Sequence, residues 1–391
     1  MRNDRLAFLK IASHDAFVSI RRSVLFLCAI CLVVGNVTAQ EFRPIHPGVE
    51  HALVEHKIAA GPVKINLLRL DLTKVRLDVK LGMDAVLGTE TTSSIAKRHR
   101  AVAAINSGFF RFDTSIFAGD PAGALKIDGV VLSEPDRGRA VIFIDNRRDR
   151  TVVEFGRFGA RDWVEVGGLE LVIDGMNRER RENELLIFTP EFHRTTLTSP
   201  EGVEVIVRGD RVVSILNGIG SLAIPSDGYI LSATGTKRHE IMRSLRIGDR
   251  LRRFTAVVPV GGETTPPAQY NFEDHTNGVS ILLKNGAINL TWEAERAIRS
   301  FAEDRHPRTA VAKLKDGRLL MITADGRQPG VSVGMTLREL AEYLLSIGSV
   351  DAINLDGGGS TTMVLGGRVI NTPSDTNRER KVSVAIVVTL R

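Results

Sequence analysis

The sequence predicts an α+β fold, that is, a mixed α/β chain that is rich in strands and has few helices. Short runs of Val, Ile, Leu and Phe alternate with polar residues from residue 63 onward, which is the period of half-buried strands. Asp-Gly and Asn-Gly pairs separate these runs, as tight hairpins require. No Pro- or Ser-rich linker divides the chain, so residues 40–391 are predicted to form one compact domain that could have two lobes.

Strand-like segments follow one another along the chain, beginning with a long alternating run at Val63–Met83. A short helix is predicted at Ser94–Arg100, followed by a buried strand at Ala101–Ile105. The remaining strands are predicted at Leu125–Ile127, Ala140–Ile144, Thr151–Phe155, Glu170–Ile173, Val203–Val207, Arg211–Leu216, Thr309–Leu314 and Leu319–Thr323.

The clearest helix signal lies near the C-terminus, at Leu337–Ile347. Thr336 and Glu339 have the spacing of a capping box, and the leucines that follow recur every three or four residues on one face. Gly348 stands where a left-handed C-terminal cap is expected. An apolar strand is predicted next, at Ala352–Leu355.

Composition places the chain among globular proteins. Of its 391 residues, 43% are hydrophobic and 25% are charged, which excludes the disordered and coiled-coil classes and allows a sizeable core. The formal net charge is +6, and it falls to +3 if residues 1–39 are removed. Because this charge is small and no Lys/Arg run is interleaved with aromatic residues, nucleic acid is not expected as a partner.

Residues 1–39 are predicted to be a secretory signal peptide. Arg21 and Arg22 precede an apolar run at Val24–Val34, and Ala39 is the small residue expected at the cleavage site. An uncleaved membrane anchor is the alternative, but the run is shorter than the ~20 residues that span a bilayer. Both cysteines lie inside the run, so the mature chain has none. We expect a secreted or periplasmic protein with no stable membrane insertion after cleavage.

The strongest functional signal is a run of three glycines, Gly357, Gly358 and Gly359, directly after Asp356. Because glycine has no side chain, such a run lets the backbone approach a ligand, for example a phosphate or a sugar hydroxyl. The run lacks the Lys of a P-loop, and Thr362 stands where a nucleophile elbow needs its second Gly. A tight hairpin with an Asp turn is the alternative, which explains one or two glycines but not three.

A second polar cluster lies in the hairpin before the C-terminal helix. Asp325 and Arg327 follow its second strand, and Arg308 begins its first. Either guanidinium could bind a phosphate through two parallel hydrogen bonds, whereas the alternative is a surface turn with a solvated Arg. Elsewhere, Asn106 precedes Phe109-Phe110, and either ring could stack on a sugar or lie in the core.

Other chemistries find little support in the spacing of the residues. The histidines show neither H-x-H nor H-E-x-x-H spacing, so no metal site is predicted. Residues 218–223 imitate a dinucleotide-binding glycine loop, but Pro225 forbids the helix that this loop requires, so no cofactor is predicted. Asp274 and His275 could be a catalytic pair, although two adjacent residues are weak evidence.

Together these segments resemble the phosphodiester glycosidase family. The matching stretches span most of residues 50–390 and are AAINSGFF, GALKIDGVV, AIPSDGYILSATG, GVSILLKNGAI, HPRTAVA, TADGRQPGVSVGMTLRELAEYLLSIGSVDAINLDGGGSTTMVLGGRVINTPSD and RERKVSVAIVV. In the first of these stretches, Ser107 departs from the family's common form.

The resemblance implies an exported hydrolase that cleaves the glycosidic bond of a sugar-1-phosphate diester and releases a sugar and a phosphomonoester. Residues 40–391 would be its catalytic domain, and a glycan or a nucleotide-sugar-like small molecule would be its substrate. A non-catalytic glycan-binding protein of exopolysaccharide or envelope metabolism is the alternative. The expected catalytic carboxylates are Asp356 and Asp325. The expected substrate-binding residues are Asn106, Arg308, Arg327, Gly357, Gly358, Gly359, Ser360, Thr361, Asp375 and Arg380.

Overall fold

A computed structural model of the chain describes residues 40–136, 138–261, 268–375 and 378–391. The predicted α+β class is wrong: the fold is mostly β, with 12% of the described residues helical. Neighbouring strands, whether close or distant in the chain, pair almost entirely antiparallel, and antiparallel sheets do not need helical crossovers between their strands. The predicted signal peptide lies outside the described residues. Within the described ranges, no helix has the length and apolar character needed to span a membrane.

The helices are short and few. In the described ranges, 3-10 turns occur at Gly82–Asp84, Ala268–Asn271 and Gly358–Ser360. The α-helices in the described residues are α1 (Thr92–Arg98), α2 (Gly235–Ser244), α3 (Arg299–Glu303) and α4 (Leu337–Ser346).

Most of the strands predicted from the sequence are present, with ends that differ by at most three residues, and the run at Val63–Met83 forms two strands, β3 and β4. In chain order the strands are β1 (Arg43–His46), β2 (Val49–Ile58), β3 (Gly61–Leu70), β4 (Val75–Leu81), β5 (Glu90–Thr91), β6 (Ala103–Asn106), β7 (Leu125–Ile127), β8 (Val130–Ser133), β9 (Ala140–Asn146), β10 (Thr151–Arg157), β11 (Gly159–Val166), β12 (Leu169–Ile173), β13 (Gly175–Met176), β14 (Leu185–Phe188), β15 (Val203–Arg208), β16 (Arg211–Asn217), β17 (Gly228–Ala233), β18 (Arg252–Val258), β19 (Asp274–Asn277), β20 (Ile281–Lys284), β21 (Ala287–Ile288), β22 (Arg308–Leu314), β23 (Leu319–Ala324), β24 (Ser349–Asn354), β25 (Met363–Leu365), β26 (Arg368–Val369), β27 (Lys381–Val382) and β28 (Val384–Leu390).

An eight-stranded sheet in the order β1-β2-β3-β23-β22-β24-β20-β21 is the largest element of the fold. A five-stranded sheet, β26-β25-β6-β28-β4, joins strands from both ends of the chain. Two further five-stranded sheets are β10-β9-β19-β7-β8 and β13-β14-β17-β15-β16, and smaller ones are β12-β11-β18 and β27-β5. Among the pairs described, β13 with β14 is the parallel one.

Hydrophobic clusters cover both faces of the central strands of the eight-stranded sheet. On β23, Leu320 and Ile322 pack with α4, whereas Met321 packs on the opposite side with β4, β6 and β28. Burial on both faces explains why β23 reads as a continuous apolar run instead of an alternating one.

Helix α4 has the caps that its sequence predicts. The Thr336 hydroxyl accepts a hydrogen bond from the Glu339 amide at 3.0 Å, and the Glu339 carboxylate accepts one from the Thr336 amide at 2.9 Å. Gly348 ends the segment with a φ of 87°, the left-handed conformation that a glycine tolerates best. The helix therefore leads directly into β24 and fixes where that strand ends.

Candidate active site

The site predicted from the sequence lies where several strands end at one edge of the eight-stranded sheet. Strand β22 pairs with β23 through Arg308 and Ala324, and with β24 through Ala310 and Asn354. Because both neighbours run antiparallel to β22, its first residues lie beside the last residues of β23 and β24. This register brings the segment that follows Asn354 next to the segment that follows Ala324.

Asn106, at the end of β6, ties this edge to the second large sheet. Its amide nitrogen donates to the backbone carbonyl of Asp356 at 2.6 Å. Its amide oxygen accepts from the Thr309 hydroxyl at 2.8 Å and from the Thr362 amide at 3.0 Å. The Asp356 amide in turn donates to the Ser107 carbonyl at 2.8 Å. Asn106, which we expected to bind substrate, therefore fixes the backbone of the glycine loop with its side chain.

Each of the three glycines is surrounded so closely that a side chain would crowd its neighbours. A Cβ atom on Gly357 would lie 2.7 Å from the Pro307 carbonyl oxygen. On Gly358, whose φ is +59°, it would lie 3.1 Å from the Arg327 guanidinium, and on Gly359 it would overlap the Arg380 guanidinium. Two arginines far apart in sequence therefore lie directly on the glycine loop, which explains the glycine run as a surface for guanidinium groups.

The Asp356 carboxyl faces this arrangement from a partly buried position. Burial raises the pKa of Asp356 to about 6, against the opposing effects of the Ser360 hydroxyl, the Arg380 charge and the Gly357 amide. Its backbone is fixed at both its amide and its carbonyl. Asp356 is thus a firmly positioned carboxyl next to a cationic loop, and it is mostly ionised at neutral pH.

Arg327 reaches the loop from the turn after β23. It is exposed, has a φ of 60° and places its Nη2 atom 3.3 Å from Nδ1 of His306. Burial, with a contribution from the Arg308 charge, lowers the pKa of His306, so the ring is neutral at pH 7 and Nδ1 can accept. In the described part of the chain, no carboxylate forms an ion pair with Arg327, which leaves its charge available to an anion.

Arg380 reaches the loop from the segment before β27. Its Nε donates to the Asp375 carboxylate at 2.8 Å, and this bond holds the pKa of Asp375 below its usual range. On its other side the guanidinium stacks on Phe112, 4.3 Å from the ring centre. Phe112 is 65% exposed, although an aromatic ring of this size is usually buried. Asp375 and Arg380 are therefore paired with each other and together form one wall of the site.

Arg308 lies underneath the site and not at its surface. Its side chain is fully buried, with Nε bonded to the Met335 carbonyl at 2.8 Å and Nη2 to the Phe301 carbonyl at 2.7 Å. Burial, followed by the Arg327 charge, lowers the pKa of Arg308 to about 9. Because these donors already bind backbone carbonyls, they do not point towards a phosphate in the site.

The Asp325 carboxyl is also occupied by protein partners. One oxygen accepts from the Asn371 side chain at 3.0 Å, and both accept from the Thr372 amide, at 3.2 Å and 3.0 Å. Burial raises the pKa of Asp325, while these bonds and the Lys64 charge oppose the rise. Asn371 also donates to the Thr361 carbonyl at 3.0 Å. Asp325 thus anchors the segment that carries Asp375. Asp356, in contrast, lies beside the Arg380 charge.

Ser360 and Thr361 complete the loop from inside. Both are buried, and within the described residues the Thr361 hydroxyl has no hydrogen-bond partner.

The adjacent pair on β19, Asp274 and His275, has a different environment. The Asp274 carboxylate accepts from the Val79 and Asp128 amides at 2.8 Å each.

His275 lies among the rings of Phe143, Phe158 and Tyr270. Burial lowers its pKa to about 3, so His275 stays neutral at all physiological pH values. Neighbouring residues on a strand point to opposite faces, which separates its ring from the Asp274 carboxyl. In the described ranges, no group of three or more His, Cys, Asp or Glu side chains could hold a metal ion.

Three residues of the site were missed by sequence reasoning. His306 supports Arg327, Phe112 stacks on Arg380, and Asn371 joins Asp325 to the glycine loop. Each lies within or beside a segment that matches the family, but a partner distant in the sequence gives each its role, and the spacing of residues does not reveal such partners.

Comparison with known sequences settles the family of the C-terminal part of the chain. Residues 201–389 match the profile of the phosphodiester glycosidases. These residues belong to the phosphodiester glycosidase family. The match includes the glycine loop, Asp325, Asp356 and both arginines that contact the loop, and it confirms the resemblance predicted from the sequence.

A mouse relative is named N-acetylglucosamine-1-phosphodiester alpha-N-acetylglucosaminidase and is 30% identical over 161 residues. The match covers 39% of this chain and 30% of the relative. This chain thus spans about a third of the length of that relative.

Two solved structures share the fold. One is a hypothetical protein from Synechocystis, with a TM-score of 0.78 and 24% identity over 91% of this chain and 64% of the other. The other is a protein from Burkholderia pseudomallei, named as exported on inference, with a TM-score of 0.71 and 23% identity over 84% of this chain and 74% of the other. At these identities the likeness is one of fold.

Proposed function

We propose that this phosphodiester glycosidase is an exported hydrolase that cleaves the glycosidic bond of a sugar-1-phosphate diester. The observation that carries the proposal is the pair of guanidinium groups, from Arg327 and Arg380, on a glycine loop that begins at Asp356. Export is supported by the predicted signal peptide and by a structural neighbour named as exported on inference.

The chemistry of such a substrate suits this arrangement. Breaking a glycosidic bond gives the sugar oxocarbenium character, which a nearby carboxylate stabilises or traps. The leaving group departs as a phosphomonoester whose second pKa is about 6, so it needs less protonation than an alkoxide. Arginine side chains and backbone amides can stabilise that leaving phosphate in place of a strong general acid.

In this proposal the two arginines bind phosphate and Asp356 faces the anomeric carbon. Among the described residues, Arg327 has no carboxylate in ion-pair contact, although its charge acts on Asp375, and Arg380 binds a carboxylate through its Nε atom. Arg308 contributes positive charge from beneath instead of direct contact. Asp325, expected from sequence to be a second catalytic carboxylate, is assigned to holding the Asn371–Thr372 segment.

The test measures kcat/KM on two substrates that share one sugar, a sugar-1-phosphate diester and an aryl glycoside. We expect wild type to prefer the phosphodiester and to release a free sugar from it. Preference for the aryl glycoside would contradict the proposal. Binding of the phosphodiester without any turnover would instead favour a non-catalytic glycan-binding protein.

A further inference from the structure

A second cavity lies beside the candidate active site and shares a loop with it. Residues 107–123 begin at the Ser107 carbonyl, which holds Asp356, and Phe112 in the same segment stacks on Arg380. The amide of Arg111 donates to the carbonyl of Asp120 at 2.8 Å, and the side chains of both residues line a cavity of about 610 Å³.

The walls of this cavity carry more acid than base. Arg178 is bound on two sides, by Glu134 at 2.6 Å and by Glu184 at 2.8 Å, and Arg111 is paired with Glu179. These ion pairs leave an excess of carboxylates. Asp136 is paired with Arg139 at 3.2 Å. Among the described residues, the acids that line the cavity outnumber the arginines: Asp120, Glu134, Asp136, Asp174, Glu179 and Glu184 against Arg111, Arg178 and Arg181.

The Asp120 carboxyl has an oxygen atom to which no described residue donates a hydrogen bond. It is only 9% exposed, and its Oδ1 atom is buried with no hydrogen-bond partner among the described residues. Burial raises the pKa of Asp120 to about 8; Glu134 adds to the rise, and Arg178 and Arg111 oppose it. A buried polar atom without a partner costs free energy, so such an atom on a cavity wall points to a ligand that supplies one.

The charge and the donor requirement identify the class of ligand. An anion would meet an excess of carboxylates, and the described acidic side chains are not grouped closely enough to hold a metal ion. A primary ammonium carries one positive charge and three donors. We propose that this cavity binds a ligand that carries a protonated primary amine and that its ammonium lies on the Asp120 carboxylate.

The proposal has a consequence for pH. Below about pH 8 the free protein holds a proton on Asp120, and an ammonium must displace that proton in order to form the ion pair. The affinity for the amine should therefore rise by about tenfold per pH unit between pH 6 and pH 8. The charged groups that face Asp120 are Glu134, Glu179, Arg111 and Arg178.

The experiment is isothermal titration of the full chain with 2-aminoethyl glucoside and, as an uncharged match, 2-hydroxyethyl glucoside. An alkylamine keeps its proton over the whole pH range used. We expect wild type to bind the amine at least tenfold more tightly, and Asp120→Asn to remove that preference. Asp227→Asn, which changes an exposed carboxylate paired with Arg208, should leave it intact. Equal binding of the two glucosides by wild type would overturn the proposal, as would an unchanged preference in Asp120→Asn.

A second measurement needs no variant and covers the case in which Asp120→Asn does not fold. Titration of wild type at pH 7 in two buffers of different ionisation enthalpy should report about one proton released per amine bound. No proton release would overturn the proposal. Hydrolysis of a phosphodiester is not measured here, so failure of this assay is distinct from failure of the proposed function.

Discussion

Asp356 and Asp325 follow strands that flank β22 on opposite sides, yet the protein uses them in opposite ways. The Asp325 carboxyl accepts three hydrogen bonds from Asn371 and Thr372. The backbones of both residues are fixed by hydrogen bonds at the amide and at the carbonyl, so the difference lies in their carboxyls. The Asp356 carboxyl faces the Ser360 hydroxyl, the Arg380 charge and the glycine loop. The comparison indicates that a carboxyl bonded to a neighbouring segment supports architecture, whereas one beside a cationic loop is positioned to meet a ligand.

Asp356→Asn should give the largest effect. We expect kcat on a sugar-1-phosphate diester to fall by about a thousandfold, because the charge that stabilises the developing oxocarbenium is lost. Stability should not fall with it. Burial raises the pKa of Asp356, so its ionised form costs stability above pH 4, and Asn removes that cost.

The melting temperature of Asp356→Asn at pH 7 should thus equal or exceed that of wild type, and the gap should close as the pH falls towards 4. Turnover assays and thermal melts check both parts. Asp227→Asn serves as the control for a surface carboxylate. Full activity in Asp356→Asn would remove this residue from the mechanism.

Arg327→Ala should come next, with a loss of about a hundredfold in kcat/KM on the phosphodiester and little loss on an aryl glycoside of the same sugar. No phosphate leaves in the second reaction, so the missing charge matters less. Arg327→Lys should recover part of the loss because it restores the charge without the planar pair of donors. Equal losses on both substrates would assign Arg327 to folding.

The pH profile should show a smaller and graded effect. If Asp356 must be ionised, kcat/KM should fall by about tenfold per unit as the pH drops below about 6, the value to which burial raises its pKa. The profile is measured between pH 4.5 and 8 on the phosphodiester. A profile that stays flat down to pH 4.5 would contradict the environment described for Asp356.

Asp325→Asn should have the smallest effect on turnover and should act on stability instead. Burial raises the pKa of Asp325 as well, so Asn removes a desolvation cost here too. The Thr372 amide contacts both carboxyl oxygens, however, so either orientation of an Asn side chain would turn its NH2 group towards a donor. We expect this mismatch to outweigh the gain, with a net loss of about 1–3 kcal/mol in the free energy of unfolding. Urea denaturation measures that loss, and kcat should stay within a few fold of wild type. A loss of turnover as large as that of Asp356→Asn would remove the distinction between the two carboxyls.

Those parts of the fold and of the site that depend on neighbouring residues could be predicted from the sequence. Helix α4 and strand β24 were predictable because caps and apolar spacing are local signals, and Asp356 with its glycines follows directly from them. The fold class was not, because the pairing of strands distant in the chain leaves little trace in local periodicity. The burial of Arg308 could not be predicted either. Its guanidinium binds the Phe301 carbonyl of helix α3, and this helix was not predicted.

Asn106 has a consequence for how the protein acquires its activity. Its side chain joins Thr309, Asp356 and Thr362, which lie 203, 250 and 256 residues away along the chain. Contacts of such high contact order carry a large loop-closure entropy and form slowly compared with local ones. The glycine loop can therefore take up its final geometry only after both ends of the polypeptide have met, so that a partly folded intermediate should be inert and turnover should report native topology.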